Sequence, residues 1–132
     1  MKKDKEAYMN FVCPHCWYTL NKCTCDIFPP YHLIFVDKNI QEHIRLLNEK
    51  GYNTTGCCEG HQKICISTYI AFPEDYFEEL GVAEGFKYNK KRGMIIYDYS
   101  QKLTEEKMEE LKAEKLKVLL DWIKSLPNRN TK

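Results

Sequence analysis

At 132 residues the chain is long enough for one modest core, since a domain of this size buries roughly two-thirds of the surface that its unfolded chain exposes. Twenty Lys plus Arg against 19 Asp plus Glu leave a net charge of +1, which excludes a global field drawing the protein to nucleic acid or acidic membranes and confines any such contact to a local patch. Apolar runs such as residues 33–36 and 64–66 fall far short of the ~18 residues of a membrane helix, and no apolar segment follows the charged start. A cytoplasmic protein without a membrane partner is expected.

Residues 1–10 are polar and read as a frayed end. Residues 11–26 hold four of the seven cysteines and little that forms a core, so this stretch reads as a metal-nucleated loop. An odd cysteine total, no secretory leader and a C-x-x-C spacing favour metal over disulfides. Cys13-Pro14-His15-Cys16 is a knuckle that grips a cation with two thiolates, and Cys23-Thr24-Cys25 supplies two more. Four thiolates close a tetrahedral shell, so one structural zinc ion is expected on Cys13, Cys16, Cys23 and Cys25. The second pair is tighter than usual, which leaves His15 or a distant group open as a substitute ligand, and iron suits the same sulfur cage.

Pro29-Pro30 closes the loop, giving a tail and zinc segment over 1–28 and a second domain over 29–132. The aromatic and β-branched run 31–36 predicts a strand. Asn39 and Glu42 have capping-box spacing, with Ile40, Ile44 and Leu47 on one helical face and Gly51 as the stop. Two extended segments, 52–57 and 63–72, flank a turn at 59–62, and Pro73 opens a short helix that ends at Gly81. Strands over 86–88 and 94–99 form a hairpin through a turn at 89–93. Thr104 caps a final helix whose stripe runs Met108, Leu111, Leu119, Ile123 and Leu126, up to Pro127. The expected fold class is α+β: a zinc knuckle, then β-α-β-β-α-β-β-α with a long C-terminal helix.

Thr54-Thr55-Gly56-Cys57-Cys58-Glu59-Gly60-His61 gathers hydroxyls, thiols, a carboxylate and an imidazole at a strand end, where glycine admits a ligand to the backbone. Thr54, Thr55, Cys58, Glu59 and His61 are therefore candidate ligand contacts. The same segment admits a Cys57 or Cys58 nucleophile with His61 as base, acid–base work by Glu59 and His61, or a second metal on Cys57, Cys58, His61 and Cys65. Strand alternation alone would send one of the paired cysteines inward and the other outward. Lys87, Lys90, Lys91 and Arg92 surround Tyr88, which makes Lys90 and Arg92 candidate phosphate contacts; a solvated turn that blunts a sheet edge explains the same charges. Trp17 beside the knuckle either stacks on a base or packs the loop onto the domain, and packing is the expected role.

The pattern C-P-x-C-x6-C-x-C over Cys13 to Cys25 resembles the N-terminal zinc segment of a small archaeal translation-initiation factor family. The stretch from Tyr52 through Gly60 resembles a segment of the wybutosine-pathway tRNA methyltransferase family, with His61 standing where that family has arginine; the resemblance implies methyl transfer to RNA. Cys-Glu-Gly-His followed by Tyr69-Ile70-Ala71-Phe72 is similar to uncharacterised small phage and Firmicute proteins, and implies no activity. The leading expectation is a zinc-containing, non-enzymatic binding protein that contacts a nucleotide or single-stranded nucleic acid through the strand-end cluster and the basic hairpin. A small enzyme using the Cys-Cys-Glu-Gly-His segment and a protein–protein adaptor are the alternatives.

Overall fold

The computed structural model describes residues 11–13, 16–19, 34–61, 66–78 and 80–129. Cys23, Cys25 and Cys65, the end at 1–10 and the first half of the expected strand 31–36 lie outside the described residues. Two strands, β1 (Phe11–Val12) and β2 (Ile34–Phe35), pair antiparallel, with Phe11 opposite Phe35 and Val12 opposite Ile34. Val12 belongs to the hydrophobic core, so the cysteine segment is tied to the rest of the fold by both a ladder and burial.

A 3-10 turn over Lys38–Ile40 leads into helix α1 (Gln41–Glu49). Ile40, Ile44 and Leu47 are fully or almost fully buried, as their helical spacing predicts. The capping box does not form: neither N-terminal boundary carries a side-chain cap, and the Asn39 amide instead donates to Glu59, 20 residues away. A tertiary hydrogen bond to a carboxylate outcompetes a local cap because it also satisfies a lone pair on a buried, charged acceptor.

Four strands make one antiparallel sheet: β3 (Gly56–Cys58), β4 (Ser67–Ala71), β5 (Lys87–Asn89) and β6 (Met94–Asp98), in the order β3-β4-β6-β5. The register puts Cys57, Ile70, Ile95 and Tyr88 in one row across the sheet and Cys58, Tyr69, Ile96 and Lys87 in the next. Ile70 and Ile95 share the core with α1 and with Leu116, Leu119 and Ile123 of helix α2 (Glu105–Ser125). The Thr104 hydroxyl accepts from Lys107 N–H at 3.2 Å, which is the N-cap that the sequence predicts.

One element corrects the expected order. The helix expected over 73–80 is absent among the described residues, which form bends and turns instead. The Asp75 carboxylate accepts from the backbone of Phe77 and Glu78 and from the Tyr88 hydroxyl. Phe77 is pulled into an aromatic cluster with Tyr52, Phe72 and Trp122. An Asp-anchored turn that buries one aromatic replaces a helix that would have strung the same residues along its own axis. The domain after the knuckle therefore runs β-α-β-β-β-β-α. On α2, Lys112 rather than Leu111 completes the buried face between Met108 and Leu116.

The β5–β6 turn closes on Gly93, whose φ is +60° and whose missing Cβ would sit 2.7 Å from the Phe72 carbonyl oxygen. A methyl group there meets backbone that cannot step aside, in a conformation that L residues resist. Gly93→Ala is expected to destabilise the fold by about 1–3 kcal/mol in urea denaturation; an unchanged midpoint would mean that the turn has another way to close.

Candidate functional site

The strand-end segment folds around a buried ion pair. Lys112 Nζ donates to Glu59 Oε2 at 2.8 Å, and each side chain is only 7% exposed. Glu59 accepts further bonds from Asn39 N–H at 3.1 Å and Asn39 Nδ2 at 2.8 Å, so both its oxygens are engaged inside the protein. Lys112 also reaches Glu109 at 3.2 Å and the Gly60 carbonyl at 3.3 Å. Burial pushes the Glu59 carboxyl upward, but the bonds from Lys112 and Asn39 outweigh it and hold it below its usual range. For Lys112, burial acts downward and is outweighed by the two carboxylates, so its ammonium is held above its usual range.

This pair fixes the turn that follows β3. The Thr68 hydroxyl contacts the Glu59 carbonyl at 2.8 Å and the Tyr99 hydroxyl at 2.6 Å. Gly60, with φ at +102°, packs where a Cβ would come within 3.1 Å of the Tyr99 ring and 3.3 Å of Thr68 Oγ1. Two successive amides then point outward from the turn: Glu59 N–H donates to Asp37 Oδ2 at 3.1 Å, and Gly60 N–H to Cys58 Sγ at 3.4 Å. His61 Nε2 lies 3.1 Å from the same Asp37 oxygen. Asp37, Cys58 and His61 thus place one carboxylate, one thiol and one imidazole within 4.8 Å of one another.

Cys57 faces a different environment. Burial, then the nearby Asp37 charge, pushes its thiol up to about 12, partly offset by a hydrogen bond from the Asp37 backbone, so at neutral pH it keeps its proton. It lines a largely apolar cleft of about 260 Å³ with Trp17, Val36, Ile44, Thr54, Thr55 and Gly56. Asn48 orders the rim, donating to Thr54 Oγ1 at 2.9 Å and accepting from Thr54 N–H at 3.3 Å. Trp17 also lines a polar cleft of about 280 Å³, together with Tyr18, Thr19, Lys38, Gln41, Glu42 and Arg45. Arg45 is shared with Glu42 and Glu49 and sits over the Tyr18 ring, whereas no carboxylate pairs with Lys38 among the described residues.

Trp17 takes a left-handed backbone, φ +62°, held by its N–H bond to the Cys13 carbonyl at 2.8 Å. Cys13 is fully buried and its N–H donates to the Tyr18 carbonyl at 3.0 Å, which closes a turn, and neither Cys13 nor Cys16 forms a disulfide among the described residues. The indole packs against the core, its expected role, and also forms a wall of both clefts.

The structure does not gather all the sequence-derived candidates. In the sheet register, Gly56, Ala71, Met94 and Asn89 mark one end and Cys58, Ser67 and Asp98 lie toward the other. The turn bearing Lys90 and Arg92 is therefore at the far end from Glu59 and His61, and Lys90 is already paired with Glu78 at 2.8 Å. Thr54 and Thr55 belong to the apolar cleft, and Glu59 turns inward. Asp37 and Lys112 went unnoticed in the sequence, and Asn39 was read only as a helix cap; Lys112, a lysine at i+4 from Met108 and i−4 from Leu116 on an apolar stripe, carried a local signal.

No protein-family model, curated protein or solved structure matches the chain. No helix among the described residues is long and apolar enough to cross a membrane.

Removing one partner of a buried, hydrogen-bonded pair strands the other charge. Lys112→Met is expected to cost about 3–5 kcal/mol of stability, and the double variant Glu59→Leu/Lys112→Met to recover much of that loss. Because the Glu59 carboxyl is depressed, its contribution is present above about pH 4.3, the unfolded value, and is lost as pH falls through the folded one. Urea denaturation of both variants checks this, and a Lys112→Met variant as stable as wild type would show that the pair is not formed.

Proposed function

We propose that this chain is a zinc-containing binding protein for a nucleotide or a short single-stranded nucleic acid, with the base entering the cleft beside Trp17. The observation that carries this reading is that Trp17 lines both an apolar cleft rimmed by two threonines and a polar cleft containing Lys38, with which no carboxylate among the described residues pairs. Apolar walls with a few convergent polar groups are the usual make-up of a small-molecule site. An aromatic face holds any base by stacking, the Thr54 and Thr55 hydroxyls can bond its edge, and Lys38 with Arg45 can meet a phosphate. The basic hairpin is given no part in this site: it joins β5 to β6, whereas the cleft borders β3, at the opposite edge of the sheet.

Zinc on Cys13, Cys16, Cys23 and Cys25 gives Trp17 its position in the same reading. The closed turn between Cys13 and Tyr18 supports it, since a metal that grips both knuckle thiols would hold the strained Trp17 backbone in place. A thiol enzyme based on Cys57 is less well supported: a group with a pKa near 12 supplies almost no thiolate at neutral pH.

Fluorescence polarisation with a labelled short oligouridylate, and competition by ATP, test the reading. Trp17→Ala is expected to weaken binding about 5- to 150-fold, the range that corresponds to ~1–3 kcal/mol of stacking, and Lys38→Glu to weaken it and reduce its salt dependence. Lys90→Glu/Arg92→Glu is expected to bind like wild type. Absence of binding to either probe, or tight binding that survives both Trp17→Ala and Lys38→Glu, would overturn it.

A further inference from the structure

We propose that Asp37, Cys58 and His61 form a second metal site, separate from the cysteine loop, that takes a divalent ion of zinc-like character. The inference does not depend on what enters the Trp17 cleft. A carboxylate oxygen, a sulfur and an imidazole nitrogen are the donor types that zinc accepts, and the three atoms already lie within 4.8 Å of one another. Zinc–ligand bonds of about 2.0–2.3 Å place tetrahedral donors about 3.3–3.6 Å apart; the Asp37–His61 approach of 3.1 Å is close to that spacing.

The groups behind the three donors are those a metal site needs. Asp37 is oriented by Glu59 N–H, and Cys58 Sγ receives Gly60 N–H, a bond that favours the thiolate over the thiol. Both amides come from the turn that the Glu59–Lys112 pair holds rigid. The local charge also leaves room for a cation: Lys112 is committed to Glu59 and Glu109, and Asp37 faces the His61 imidazole. On binding, Cys58 releases its proton to solvent and His61 coordinates as the neutral imidazole. Three protein donors leave one tetrahedral position for a water or ligand atom, the arrangement of reactive rather than purely structural zinc. His61, 41% exposed, keeps that position within reach of solvent.

The test is the number of metal ions per chain, read as a difference between variants. Elemental analysis after equilibration with Zn²⁺ is expected to give one ion fewer for His61→Ala than for wild type, with an unchanged far-ultraviolet circular dichroism spectrum. Cys16→Ser, which disables the loop, is expected to retain the His61-dependent ion. In the Cys16→Ser background, Co²⁺ is expected to show a thiolate charge-transfer band that Cys58→Ser removes. Glu59→Gln, which loosens the supporting turn, is expected to weaken this site about 10- to 100-fold while leaving its stoichiometry at saturation intact. Asp37→Asn provides a second, conservative variant should His61→Ala fold poorly, and it is expected to weaken the same ion. Equal zinc content in wild type, His61→Ala and Asp37→Asn would overturn the proposal, as would a Co²⁺ band indifferent to Cys58→Ser.

Discussion

The ion pair between Glu59 and Lys112 is the constraint on which the site end of the molecule depends. Two opposite charges buried at 7% exposure are tolerable only if their remaining hydrogen-bonding capacity is met. Asn39, Glu109 and the Gly60 carbonyl meet it, and each comes from a different part of the chain. The requirement therefore joins the 3-10 turn before α1, the turn after β3 and the middle of α2. A well-packed apolar trio would hold these elements together as firmly; a charge pair additionally fixes which way the Glu59 and Gly60 amides point.

Those amides link packing to chemistry. With Glu59 N–H on Asp37 and Gly60 N–H on Cys58, the strand end presents a carboxylate and a sulfur in fixed positions beside an imidazole. The neighbouring residues serve the clefts: Val36 lines the apolar one and Lys38 the polar one, with Asp37 between them in the donor cluster. Three consecutive residues thus border three different environments. A ligand in the Trp17 cleft and a metal at Asp37 would be close neighbours, each sensitive to how residues 36–38 are held.

Much of the fold was legible because it rests on local patterns. The stripe of α2, the burial of Ile40, Ile44 and Leu47, the Thr104 cap and the β5–β6 hairpin follow from spacing and turn chemistry that operate within a few residues. The failures share one cause. Residues 73–80 carried helix-start signals, yet the pull of Phe77 into a long-range aromatic cluster decided their shape. Asn39 looked like a cap and became a partner of Glu59. The Cys-Cys-Glu-Gly-His segment was visible as a chemical cluster, but its division into Cys57 on a cleft, Cys58 and His61 in a donor set, and Glu59 in a buried lock depends on Asp37 and Lys112, which stand 22 and 53 residues from Glu59. Contacts at that separation leave no periodic trace in a single sequence.

Native-state hydrogen exchange at the Glu59 and Gly60 amides tests the central claim most directly. Neither amide belongs to the ladder of the sheet, so protection there reports the lock itself. Both amides are expected to exchange only through an opening comparable in free energy to that of the core strands, and to become fast-exchanging in Lys112→Met while Ile70 and Ile95 remain protected. Rapid exchange at both positions in the wild-type protein would contradict a turn held by the Glu59–Lys112 pair.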